Sequence, residues 1–138
     1  MKVFIDTGAF HALANKSDSL HELVVAVYQD IVDRNAALYT SNYVIDETVT
    51  LIRARVSHKA AVVFMNSFDL SRIKLLRVTD VDERSAKQIF ITYKDKEFSF
   101  TDCTSFSLID KHDINATLSL DKHFSQYGYK HPIKHLLR

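Results

Sequence analysis

Four carboxylates stand where a folded chain could bring them to one place: Asp6, Glu47, Asp102 and Asp121. Asp6 follows the apolar run Val3-Phe4-Ile5, and Asp121 follows Thr117-Leu118-Ser119-Leu120, so each closes a run with strand character. Glu47 and Asp102 fall in the first turns of predicted helices, opened by Ser41-Asn42 and by Ser99. Each acid also has a local explanation. Asp6 and Asp121 can cap the helices that follow them. Asp102 can complete a capping box with Ser99, with Phe98 and Cys103 as the accompanying hydrophobic staple. Glu47 shares its helix face with Val44, Leu51 and Ala54, whereas Asp46 aligns with the polar Thr50, Arg53 and Ser57. A carboxylate on an apolar face needs a partner charge or an ion, unless it reaches out from the edge of that face.

Taken together, the four acids sit at strand carboxyl ends or in first helical turns. In a parallel α/β sheet those positions share one edge. Clustered carboxylates cannot all stay ionised without a counter-charge. An all-oxygen set, without matching Cys or His, suits a hard divalent ion such as Mg²⁺ or Mn²⁺. A carboxylate-held ion is a standard device for hydrolysing phosphodiesters. A phosphatase with Asp6 as covalent nucleophile is the competing enzymatic reading. Enzymes of the haloacid-dehalogenase type usually carry a second aspartate two residues later, where this chain has Gly8.

The elements that must position these groups alternate in type. After the opening strand, Phe10, Leu13 and Ala14 continue as a helix. Ser19 and Glu22 are spaced for a capping box, opening a second helix that runs to about Arg34, with Asn35 as its stop. Further predicted elements are a strand over 37–40, helices over 43–55 and 59–68, and a strand over 72–78. A helix capped by Thr79 or Asp80 carries Val81, Ala86, Ile89 and Phe90. A charged loop (94–97) precedes a helix from Ser99 to about Lys111, then a strand over 115–120 and a short helical turn over 122–127. Gly128 ends that turn, and the segment through Pro132 reads as an edge strand or irregular tail. This order predicts an α/β/α sandwich around a mostly parallel twisted sheet of four to five strands, as one domain over residues 1–138.

Composition narrows the class. With 46% hydrophobic residues and only two Gly and one Pro in 138, the chain can bury a core and is neither disordered nor fibrous. A net charge of +1 neither requires nor excludes a nucleic-acid partner. The single Cys103 excludes a disulfide framework and fits a reducing compartment; it reads as a small buried hydrophobe. No secretory pattern opens the chain, and no apolar run reaches the roughly 18–20 residues of a membrane span, so a cytoplasmic protein with no membrane partner is expected. The seven histidines show no ligand spacing. All but His123 read as surface or edge residues. Arg53, Arg55, Lys59, Lys122 and His123 are candidate contacts to an RNA backbone.

The chain resembles the PIN-domain nucleases, including the VapC-type toxins of toxin–antitoxin systems. The resemblance is carried by Phe4-Ile5-Asp6-Thr7-Gly8, by Thr40 through Thr48, by Phe98-Ser99-Phe100-Thr101-Asp102-Cys103, and by Thr117 through Phe124. No one stretch is specific; their order across nearly the whole chain is. The resemblance implies an Mg²⁺- or Mn²⁺-dependent endoribonuclease with Asp6, Glu47, Asp102 and Asp121 in an acidic metal site and Thr7 as a helper. It also implies an RNA substrate, a homodimer and a protein antitoxin, and it leaves one metal or two open. A non-catalytic RNA- or partner-binding domain of the same fold is the alternative.

Overall fold

The computed structural model describes residues 1–127 and 134–137. The run Val3-Phe4-Ile5 lies at the centre of the sheet: β1 (Lys2–Ile5) is flanked by β2 (Ala37–Ser41) on one side and β4 (Ala116–Leu118) on the other. A strand covered on both faces has no polar side to present, and all three of these residues are fully buried. β3 (Lys74–Leu76) extends the sheet beyond β2, and β5 (Lys134–His135) extends it beyond β4. The order is β3-β2-β1-β4-β5, with every pairing parallel.

The helices are α1 (Thr7–Ala14), α2 (His21–Asp33), α3 (Asn42–Arg55), α4 (His58–Leu70), α5 (Asp80–Thr92), α6 (Phe100–Lys111) and α7 (His123–Gln126). The chain moves outward from β1 to β2 and β3, then crosses back to place β4 on the other side of β1. Right-handed crossovers therefore put α1–α4 on one face and α5 and α6 on the other. The packing agrees: α1 lies against α2 and α3, α3 against α4, and α5 against α6. This is the α/β/α architecture that the alternation of strands and helices predicts. The reversal also makes a topological switch point between β1 and β4. There the connections leave in opposite directions and a crevice opens at the strand ends.

Local chemistry sets most boundaries. Ser41, Ser57, Thr79 and Ser99 each cap a helix by accepting a backbone N–H, and Asn35 ends the segment after α2 at φ 57°, a conformation asparagine tolerates. The predicted box at Ser19 does not form. Leu20 occupies the cap position of α2 with no side-chain cap bond, and Asp18 accepts the Leu20 N–H at 2.8 Å, so Asp18 closes the turn that enters the helix. Two strands are shorter than predicted. β3 stops at Leu76, and the Val78 N–H goes instead to the Asn42 side chain at 2.8 Å. β4 stops at Leu118 because Ser119 turns its hydroxyl toward two acids. The predicted stop at Gly128 and the tail through Pro132 lie outside the described residues.

Candidate active site

β1 delivers Asp6 to the switch point. The Asp6 N–H bonds the Leu118 carbonyl at 3.1 Å, and the residue is 4% exposed. On the neighbouring strand, the buried Ser119 hydroxyl donates to Asp6 Oδ2 at 3.3 Å and accepts the Asp121 N–H at 3.0 Å. One hydroxyl thus fixes the spacing of acids from two adjacent strands. Asp121 does not cap α7, whose cap position is Lys122; its Oδ1 instead accepts the His123 N–H at 2.8 Å in the turn that opens the helix.

Asp102 arrives from the other face of the sheet. Its N–H donates to Ser99 Oγ at 3.0 Å, and its Oδ2 accepts the Ser99 N–H at 3.1 Å, so the predicted capping box is present. The cap does not use up the side chain. Asp102 is buried with Phe106 and Ile109 of the same helix, and its Oδ2 also lies 3.0 Å from His123 Nδ1. The same Nδ1 is 3.1 Å from Asp121 Oδ1. Carboxylates only accept, so Nδ1 carries the hydrogen and the imidazole bridges the two acids. One candidate ligand atom from each of Asp102, Asp121 and His123 lies within 4.8 Å of the others, and this trio could hold a metal ion.

The electrostatics couple the acids. Burial, above all, pushes Asp6 up to about 7; Asp102, Asp121 and Glu47 add to the rise, and the Thr7 backbone N–H opposes it. Asp102 is raised by burial and by Asp121, against the Ser99 N–H and His123. Thr7 is buried beside Asp6, and its Oγ1 has no hydrogen-bond partner among the described residues. Under-compensated carboxylates beside an unpartnered hydroxyl are what a hard cation's ligands look like before the cation is counted, so the donor set fits a divalent metal.

Glu47 requires a correction. It is exposed rather than set in an apolar face. The buried stripe of α3 is Val44, Thr48 and Ile52. Thr48 satisfies its hydroxyl on the Val44 carbonyl at 2.7 Å, and so packs inward where the apolar count favours the neighbouring face. Glu47 stands at the mouth, close enough to raise Asp6. Lys122 is exposed on the turn beside Asp121. Arg53 and Arg55 lie in the last turn of α3 and Lys59 in the first turn of α4. At 1.5 Å per residue, Arg53 and Arg55 sit roughly 9 and 12 Å along the α3 axis from Glu47.

Two other readings change. His11 is buried, its Nδ1 3.8 Å from Asp18 Oδ2, and half-buried His21 contacts the Ala12 carbonyl at 2.6 Å; both tie down the α1–α2 connection. His123, a candidate phosphate contact, faces the carboxylates instead. An aromatic stack stands behind it: Phe98 meets its ring edge-on at 5.6 Å, and Phe106 lies flat on Tyr127 at 4.4 Å. The Cys103 thiol is pushed up to about 11 by burial and by Asp102, so it is inert as a nucleophile. Ser119 escaped sequence reasoning; its only signal is a serine two residues before Asp121. A cleft of about 560 Å³ lies elsewhere between α1, α2 and α4, lined by Phe10, Leu13, Tyr28, Val63, Phe64 and Phe68.

An acidic crevice at the β1–β4 switch of a parallel sheet defines a class, and the sequence matches the PIN domain over residues 3–130. The chain belongs to the PIN-domain family. It is 30% identical over 127 residues to the 23S rRNA-specific endonuclease VapC20 of Mycobacterium tuberculosis, covering 92% of this chain and 95% of that one. The crystal structure of VapC20, described as a sarcin–ricin loop cleaving toxin, superposes with a TM-score of 0.83 over the same shares. VapBC2 of Rickettsia felis, bound to a promoter DNA fragment, shares the fold at 12% identity (TM-score 0.70, 98% of each chain). So does FitAcB of Neisseria gonorrhoeae at 16% identity (TM-score 0.64, 87% and 88%). Among the described residues no helix is long and apolar enough to cross a membrane.

Proposed function

We propose that the chain is a metal-dependent endoribonuclease, the toxin of a toxin–antitoxin pair acting in the cytoplasm. The observation that carries this reading is the meeting of Asp6, Asp102 and Asp121, from three distant segments, at the switch point, with Asp6 held near 7 by burial and by its neighbours. In this reading Asp6, Asp102 and Asp121 hold Mg²⁺ or Mn²⁺, with Glu47 as a fourth acid and the Thr7 hydroxyl as helper. When bound, the ion supplies charge neutralisation at the scissile phosphate and activation of water. Glu47, exposed at the mouth, orients the attacking water and takes its proton. His123 keeps Asp102 and Asp121 in register. Ser119 sets the spacing between Asp6 and Asp121. Lys122 meets a phosphate beside the cut, and Arg53, Arg55 and Lys59 meet phosphates farther along the RNA. Ribosomal RNA is the first substrate to try, since VapC20 is named for cutting it.

A protein antitoxin and a homodimer complete the proposal. The antitoxin is supported by the kinship with VapC20 and by likeness in fold to VapBC2 and FitAcB. The apolar cleft, with Lys16 and Lys59 in its lining, suits an apolar antitoxin segment flanked by acids. The metal test is thermal unfolding of wild type and Asp6→Asn with and without Mn²⁺. A rise in Tm for wild type alone supports a carboxylate-held ion, because a ligand that binds only the folded state stabilises it by mass action. No rise in either protein favours the non-catalytic binding reading.

A further inference from the structure

Two of the helices that carry the acids also present aromatic rings to solvent. Tyr43 lies in the first turn of α3, one turn ahead of Glu47, and Phe100 opens α6, two residues ahead of Asp102. Their ring centroids are 6.4 Å apart, and Phe90 of α5 lies 6.4 Å beyond Phe100 at an interplanar angle of 70°. Phe100 is 38% exposed and Phe90 51%. Burial and the nearby Glu83 carboxylate raise the Tyr43 hydroxyl's pKa. Lys87, one turn past Glu83 and three residues before Phe90, is exposed on the same side of α5. A continuous chain of rings therefore leads away from the mouth of the acidic crevice, with a cation beside it.

Scattered exposed apolar residues need no explanation, but contiguous rings at the rim of a site do. The chemistry that matches a partly exposed ring beside a cation is a flat nucleobase with its phosphate. Single-stranded RNA is read in this way, its unstacked bases laid on aromatic side chains. We propose that Phe100, flanked by Tyr43 and Phe90, is the ring on which a base beside the scissile phosphate stacks. The inference rests on the endoribonuclease reading and deepens it.

The test uses the full chain with Ca²⁺ in place of Mn²⁺, and a pool of single-stranded RNA octamers each carrying one 2-aminopurine. This base loses fluorescence when stacked. Wild type is expected to quench it. Phe100→Ala should weaken binding by about tenfold or more, and Phe100→Trp should restore it. Both variants should keep the Mn²⁺-dependent rise in Tm and the wild-type sedimentation coefficient. Equal affinity in Phe100→Ala, or no quenching by wild type, overturns the proposal while the Mn²⁺ response leaves the nuclease reading standing. A loss of affinity that coincides with a change from dimer to monomer assigns the rings to a second copy and also overturns it. A wild type that Mn²⁺ does not stabilise overturns both.

Discussion

The acidic crevice and the apolar cleft are built from opposite materials on one scaffold. The crevice gathers side chains from segments as far apart as 113 residues and holds them by hydrogen bonds from Ser119, Ser99 and His123. It keeps negative charge buried and only partly compensated. The cleft draws on α1, α2 and α4, with Phe10 set edge-on to Phe64 at 5.3 Å and to Phe68 at 6.3 Å. Its aromatic walls gain from contact with one another. The difference teaches where stability and activity part company: the crevice works against folding until a cation arrives, whereas the floor of the cleft is folding's own investment. A substitution that relieves the first should stabilise while it inactivates, and one that hollows the second should destabilise without touching the metal.

The strongest test of that division is Asp6→Asn. Cleavage should fall by about 10³-fold or more, while metal-free Tm stays level or rises, since a buried charge and its repulsions are gone. A fall in metal-free Tm would show that Asp6 holds the fold together. In the cleft, Phe10→Ala empties a site that is 2% exposed and should cost about 3–5 kcal/mol by denaturant unfolding, yet retain the Mn²⁺ shift. Loss of that shift would mean the two regions are coupled.

The pH dependence sharpens the electrostatic half. Native Asp6 keeps its proton to about 7, whereas the unfolded chain releases it near 3.8. The native state binds more protons between those values. The group's contribution is therefore full below about pH 4 and is lost as pH rises through 7, by a few kcal/mol at most. Asp102, also raised, acts in the same direction. The Tm of wild type minus that of Asp6→Asn should fall from pH 4.5 to 7.5 without metal, and Mn²⁺ should reverse the trend. A difference that grows with pH in metal-free buffer would contradict this assignment. The smallest effect belongs to Val63→Glu on the cleft's rim. That residue is 56% exposed, and stability should stay within about 0.5 kcal/mol by thermal unfolding. A larger loss would make the rim part of the core.

Much of this is legible in the sequence itself. The Val3-Phe4-Ile5 run, the serine and threonine caps and the alternation of strands with helices act locally, so the α/β/α order follows from them. The positions of Asp6, Asp102 and Asp121 follow from topology, because strand ends and first turns share an edge. What escaped were relations between side chains. Ser119 matters only because β4 lies beside β1, and His123 meets Asp102 only because the aromatic stack seats α7 over α6. Glu47 was misread because a helical wheel counts apolar residues, and Thr48 buries itself by bonding its own backbone. His11 looked like a surface residue until Asp18 folded back on it.

The place of β4 in the sheet has a consequence for how the protein is made. Chains emerge from the ribosome amino end first, and domains generally fold as units. β1, β2 and β3 can pair among themselves, but the partner on Asp6's open side comes from residues 116–118. Until that strand docks, Asp6 lacks Ser119, Asp121 and the bridge through His123 to Asp102. A nascent chain thus travels through the ribosome with its cutting edge unassembled, and the proposed nuclease becomes competent only once residues 116–123 have left the machine that made it.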